Sequence, residues 1–155
     1  MVQNFLIKPI QSEALLTALK QVNVFPNESK TVLFVDDDTK MLKLVQQYLK
    51  DSNLNLICES NPEQGLKIAE TTHLDAIVLD LLMPDIDGLE FLRRFRRNKK
   101  GKNTPVIICT SQDLSDAEKA RIKVSVEAVI QKGVEAMEHL VSELNRILPL
   151  SSQQA

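Results

Sequence analysis

The sequence predicts an α/β domain built on a parallel sheet with helices on both faces. Short apolar runs alternate with helical apolar periodicity five times, the pattern of strand-helix units. The runs Val32-Leu33-Phe34-Val35 and Ala76-Ile77-Val78-Leu79 lack polar alternation, as expected of strands covered on both sides. Each run stops abruptly at carboxylates, Asp36-Asp37-Asp38 and Asp80. In an open α/β sheet, ligands collect at the carboxyl ends of the strands.

Residues 1–30 stand apart. Asn4 to Ile7 reads as a short strand followed by Lys8-Pro9. Leu15, Leu16, Leu19 and Val22 then recur at helical spacing behind a Ser12 N-cap and an acidic Glu13. Residues 23–30, with Pro26, Asn27 and Ser29, read as a linker. Thr31 to Val35 opens the main domain. Asp38 is expected to cap the next helix, leaving Asp36 and Asp37 free. Met41, Leu42, Leu44, Val45, Tyr48 and Leu49 form that helix's apolar stripe, with Tyr48 partly buried. Asp51-Ser52-Asn53 ends it. Leu54 to Cys58 is the second strand, and Asn61-Pro62 opens a helix with Leu66, Ile68 and Ala69 inward. His73 falls in a loop and is read as solvated.

After Leu79, Pro84 blocks an immediate helix, and Asp87-Gly88 marks a turn before the helix Leu89 to Arg97. The cations Arg93, Arg94, Arg96, Arg97, Lys99, Lys100 and Lys102 read as a solvated surface, because late cations complement a helix dipole and no aromatic beyond Phe95 interleaves them. Gly101 and Asn103 turn the chain into the strand Pro105 to Cys109, closed by Thr110-Ser111. Ser115 and Glu118 form a capping-box pattern for the helix Asp116 to about Val124. Glu127 to Gln131 is the fifth strand, ending at Lys132. Val134 to Leu148 is the terminal helix, with Met137, Leu140, Val141, Leu144, Ile147 and Leu148 on one face and His139 exposed. Ser151 to Ala155 reads as a frayed tail.

If the strands ending at Val35 and Leu79 are both central, Asp36, Asp37 and Asp80 converge. Three such carboxylates repel one another and raise each other's pKa unless a cation sits among them. Oxygen-only ligands suit Mg²⁺, which keeps waters and accepts phosphate oxygens.

Four motifs together resemble the receiver domain of two-component response regulators: Asp36-Asp37, the segment Asp80 to Gly88, Thr110 after its apolar run, and Lys132 after Ala128-Val129-Ile130-Gln131. The resemblance covers about residues 30–149 and places the receiver domain at 31–150. It implies a flavodoxin-like doubly wound, five-stranded sheet in the order 2-1-3-4-5, with the N-terminal strand-helix piece as an addition. It implies that Asp80 accepts a phosphoryl group from the phosphohistidine of a histidine kinase or phosphotransfer domain. Mg²⁺ would be held by Asp37, Asp80 and the Leu82 carbonyl, with Asp36 acting through a water. Lys132, the Thr110 hydroxyl and the Ser111 backbone N–H would meet the phosphoryl oxygens. Such a domain is not a turnover enzyme; it catalyses its own phosphorylation and a slow dephosphorylation.

Two departures from the family stand out. Val129 occupies a position often held by a switching aromatic, and Lys132-Gly133 replaces the usual Lys-Pro, so the expected cis peptide is not carried over. Phe5 and Lys8-Pro9 keep both features, which makes residues 1–22 resemble the tail of an upstream receiver. With no output domain after Leu150, the expected context is a hybrid sensor kinase or a tandem-receiver protein. Competing readings are weaker. An aspartyl phosphohydrolase commonly carries a second Asp where this chain has Leu82, and a nucleotide- or flavin-binding relative needs a glycine-rich loop that Val35 does not precede. A receiver that takes no phosphate and serves as an interaction module is the remaining alternative.

Composition fits one domain with a little left over: 155 residues, 43% apolar. A net charge of -2 argues against a nucleic-acid or anionic-membrane partner for the chain as a whole. Cys58 and Cys109 lie in apolar strands and are expected as buried free thiols in a reducing, cytoplasmic setting. No apolar run reaches membrane-spanning length, and no secretory signal is visible.

Overall fold

A computed structural model describes residues 29–148. The expected strand-helix piece at 1–22, most of the linker and the tail at 151–155 lie outside the described residues. The elements are β1 (Lys30–Val35), α1 (Thr39–Tyr48), β2 (Leu54–Glu59), α2 (Pro62–Thr71), β3 (Ala76–Leu79), α3 (Gly88–Arg97), a short 3₁₀ turn (Lys99–Gly101), β4 (Val106–Thr110), α4 (Asp116–Lys123), β5 (Ala128–Gln131) and α5 (Ala136–Ile147). The strands form one parallel sheet in the order β2-β1-β3-β4-β5. This is the expected doubly wound topology.

Strand alternation divides the core into two layers. Val32, Phe34, Ala76, Val78, Ile107, Cys109, Ala128 and Ile130 face α1 and α5. Leu33, Val35, Ile77, Leu79, Val106 and Ile108 face α2 and α3, with Phe91 and Phe95 buried among them. Burying each such side chain contributes about 1.5–3 kcal/mol, which holds the central strands rigid beneath the carboxyl-end loops. The helix starts follow their caps. The Asp38 carboxylate accepts from the Lys40 and Met41 N–H groups, and Asn61 accepts from Gln64 N–H. Ser115 and Glu118 close a capping box at α4.

Several expectations are corrected. The α1 stripe is narrower than its sequence suggests: Leu42, Val45 and Leu49 are buried, but Leu44 is 50% and Tyr48 48% exposed. Helix α5 starts at Ala136, and Val134, expected inside it, lies fully exposed ahead of it. Asp87-Gly88 is not a separate turn. Asp87 caps α3 by accepting from Glu90 N–H, and Gly88 is the first helical residue. Of the two cysteines, Cys109 is buried and Cys58 only half-buried; both are free thiols. Among the described residues, no helix is long and apolar enough to cross a membrane.

The basic run is only partly solvated. The Arg96 guanidinium donates to the carbonyl oxygens of Gly101, Thr104 and Ser125, each at 2.6 Å. It ties the end of α3 to the approach of β4 and to the turn before β5. Charged bonds of this kind are the stronger class, and a guanidinium fork suits several acceptors at once.

Candidate functional site

The register of the sheet brings the site together. Val35 pairs with Leu79, so Asp36 and Asp80 emerge side by side from neighbouring strands. Their backbones extend the ladder: Asp36 N–H donates to Glu59 O at 3.2 Å, and Asp80 N–H to Val35 O at 3.1 Å. On the other side, Thr110 pairs with Gln131, and Lys132 N–H donates to Thr110 O at 2.8 Å. Lys132 therefore leaves the end of β5 beside Thr110 and reaches across to the carboxylates.

The Lys132 ammonium lies 2.8 Å from Asp36 Oδ2 and 3.2 Å from Asp80 Oδ2. Asp36 and Asp80 are buried, whereas Asp37 is exposed beside them. One oxygen from each of Asp36, Asp37 and Asp80 falls within 4.8 Å of the others. Thr110 is fully buried. Ser111 is exposed, and no hydrogen bond joins its side chain to the cluster among the described residues.

A local device orients these groups. Asp36 Oδ1 accepts from Asp38 N–H at 2.9 Å, and Asp80 Oδ1 from Leu82 N–H at 3.2 Å. Thr110 Oγ1 accepts from Gln112 N–H at 3.1 Å. In each case an Asp or Thr at a strand end bonds the backbone two residues on. One oxygen of each carboxylate is thereby fixed, and the other faces the cluster. The sequence signal was present, since Asp and Thr favour such turns wherever a strand stops.

Electrostatics follow from burial and crowding. Burial, with repulsion from Asp80, pushes Asp36 up to about 6 against the opposing bonds from Lys132 and Asp38 N–H. Burial works against the Lys132 ammonium, but Asp36 and Asp80 outweigh it and hold it above the ordinary lysine value. Burial pushes the Cys109 thiol up to about 12, so this neighbour of Thr110 is inert as a nucleophile.

The segment after Asp80 is shaped around the cluster. Leu81 and Ile86 are buried and anchor it, while Leu82 is 49% exposed. Asp85 takes the left-handed conformation, φ 71°, which Asp tolerates better than most residues. Leu82, Met83 and Pro84 line an open concavity of about 340 Å³ together with Asp37 and Asp87. Gly88 is required by close approach: a Cβ there would lie 2.3 Å from the Asp80 carbonyl oxygen. The start of α3 is thus packed directly against the backbone of Asp80.

A doubly wound sheet with this acidic and lysine-bridged carboxyl edge defines a signalling-receiver type of domain. The chain belongs to the response regulator receiver domain family, whose model matches residues 32–145. Among curated proteins it is 36% identical over 85 residues to the alkaline phosphatase synthesis transcriptional regulatory protein PhoP of Bacillus subtilis, covering 55% of this chain and 35% of PhoP. The chain thus spans about a third of that relative's length. Among solved structures, the chemotaxis response regulator CheY4 of Vibrio cholerae superposes with a TM-score of 0.69 at 25% identity, covering 77% of this chain and 99% of that one. TrrA of Thermotoga maritima, solved in complex with Mg²⁺-BeF, shares the fold with a TM-score of 0.66 at 24% identity, covering 77% of this chain and 99% of that one.

Proposed function

We propose that the domain accepts a phosphoryl group on Asp80 from the phosphohistidine of a histidine kinase or histidine phosphotransfer domain, and that the new charge resets a protein-interaction face. The observation that carries this reading is the Lys132 bridge, with its ammonium 2.8 Å from Asp36 and 3.2 Å from Asp80. A cation so placed can pair with a phosphoryl oxygen once Asp80 carries an acyl phosphate.

Asp80 acts as the nucleophile. Its Oδ1 is tied to Leu82 N–H and its Oδ2 faces Lys132, so attack needs only a small exchange of partners. The new O–P bond forms as the P–N bond breaks, and the histidine imidazole keeps the electron pair. The Thr110 hydroxyl and the Ser111 N–H supply further donors. The donor set fits Mg²⁺: all ligands are oxygens, and one from each of Asp36, Asp37 and Asp80 falls within 4.8 Å of the others. Asp37, Asp80 and the Leu82 carbonyl would hold the ion and Asp36 a bound water; when present, the ion offsets charge on the transferring group.

Phosphorylation replaces the single carboxylate charge with the roughly -1.5 to -2 charges of a phosphoryl group and brings new acceptor oxygens. Drawing Thr110 toward a phosphoryl oxygen would pull on Gln112 and so on the lead into α4. That helix has no buried residue, which makes it the easiest to displace. Val129 is partly buried against the second core layer. The Phe5 and Lys8-Pro9 signature supports a hybrid-kinase or tandem-receiver parent protein, and the free thiols Cys58 and Cys109 support a cytoplasmic setting.

The test is incubation with acetyl phosphate and Mg²⁺, followed by intact-mass measurement. The wild type should gain one hydroxylamine-labile phosphoryl group, and Asp80→Asn should gain none. Absence of any gain in the wild type would leave the interaction-module reading in its place.

A further inference from the structure

The amino end of the sheet, opposite Asp80, carries a second polarised surface. Residues 93–102 contain seven Arg or Lys and no acidic residue. Arg93 and Arg94 pair with Glu90, Arg94 also reaches Glu63, and Arg96 is engaged by carbonyls. Arg97, Lys99, Lys100 and Lys102 are exposed, and none joins an ion pair among the described residues. Beside them lies a concavity of about 260 Å³, floored by Ala69, Leu74 and Phe95 and rimmed by Thr72, His73, Lys100 and Thr104. Of the nearby acids, Glu70 acts on Arg94, and Asp75 is occupied: its Oδ1 lies 3.4 Å from His73 and its Oδ2 accepts from Thr31 N–H at 2.8 Å.

The flanking segments carry no net counter-charge. Residues 1–28 hold Glu13 and Glu28 against Lys8 and Lys20, and residues 149–155 hold no charge. An acidic segment of a partner protein would complement the four cations left without an ion pair among the described residues. Nucleic acid is disfavoured because the patch exposes no Phe, Tyr or Trp for stacking; Phe95 is buried in the floor.

We propose that this edge docks an acidic segment of a partner protein that carries one apolar side chain. The side chain enters the concavity, and the flanking carboxylates meet Arg97, Lys99, Lys100 and Lys102. Exposed ion pairs are individually weak, about 0.2–1 kcal/mol, so binding is moderate and salt-sensitive, with the apolar anchor fixing register. The surface lies away from Asp80, and the inference does not rest on phosphoryl chemistry.

The experiment titrates the whole chain into a fluorescein-labelled peptide of glutamates flanking a central leucine. Affinity should fall about tenfold as salt rises from about 50 to about 300 mM. It should fall at least about tenfold in the triple variant Lys99→Glu, Lys100→Glu, Lys102→Glu, and severalfold when the peptide's leucine is replaced by alanine. The triple variant should still phosphorylate at Asp80, so the two proposals fail separately. A Lys→Gln version of the same three changes, with the salt series on wild type, keeps the test decisive if charge reversal unfolds the domain. Four results would overturn the proposal. These are no peptide binding at low salt, equal binding by the variants, tighter binding to a single-stranded oligonucleotide or to phosphatidylserine vesicles, or self-association in sedimentation velocity that the triple variant abolishes.

Discussion

Replacing Asp36 by Asn should remove one pH-dependent loss of stability from the metal-free protein. The unfolded chain holds this carboxyl near its ordinary 3.8, whereas burial in the fold pushes it up to about 6. Below the unfolded value the group is protonated in both states, and the raised folded value contributes its full stability. As pH rises through about 6, the buried carboxyl must ionise and that contribution is lost. The interval from 3.8 to about 6, at about 1.36 kcal/mol per pH unit, amounts to about 3 kcal/mol. An asparagine cannot ionise. The stability of Asp36→Asn minus that of wild type should therefore rise by about 3 kcal/mol between about pH 3.5 and 7.5 in EDTA. Taking the difference cancels the other titrating groups. The chain contains no Trp, so urea unfolding is followed by far-UV circular dichroism. Saturating Mg²⁺ at neutral pH should then favour the wild type, because only an ionised Asp36 fully serves a cation. A difference that stays flat within about 0.5 kcal/mol across this range would refute the burial argument.

Three further outcomes follow from the same geometry. Gly88→Ala should cost about 3 kcal/mol in urea unfolding and slow phosphorylation, because the added Cβ meets the Asp80 carbonyl at 2.3 Å. Arg96→Met should cost about 2 kcal/mol by leaving three carbonyls short of a donor, and Arg96→Lys should recover less than half of it, as unfolding midpoints will show. Cys109 should resist iodoacetamide at pH 8 in the folded protein and react once urea unfolds it, since burial pushes its thiol up to about 12; peptide mapping reads this directly.

The strand ends were the most legible part of the chain. An apolar run that stops at a carboxylate states both a buried strand and the side of the sheet where its chemistry sits, and the register then placed Asp36 beside Asp80. Caps were legible for the same local reason: Asp38, Asn61 and Ser115 bond backbone within three residues. What escaped depends on partners remote in sequence. Arg96 looked like one cation among seven; the turn after α3 supplies two of its carbonyl partners, and the return of the chain at Ser125 supplies the third. Leu44 and Tyr48 sat on a helical stripe, but α1 contacts the sheet over a narrower arc than its apolar residues span, and a folded surface tolerates single apolar side chains. Gly88 carried a turn signal whose cause was instead the approach of a carbonyl.

The most direct measurement is a crystal structure of the wild-type chain grown with Mg²⁺ and beryllium fluoride. The account predicts a fluoroberyllate on Asp80, Lys132 turned onto one of its fluorines with Thr110 on another, and the metal held between Asp37, Asp80 and the Leu82 carbonyl. An ion bound elsewhere, or an unmodified Asp80 with Lys132 still bridging it to Asp36 at saturating ligand, would contradict it.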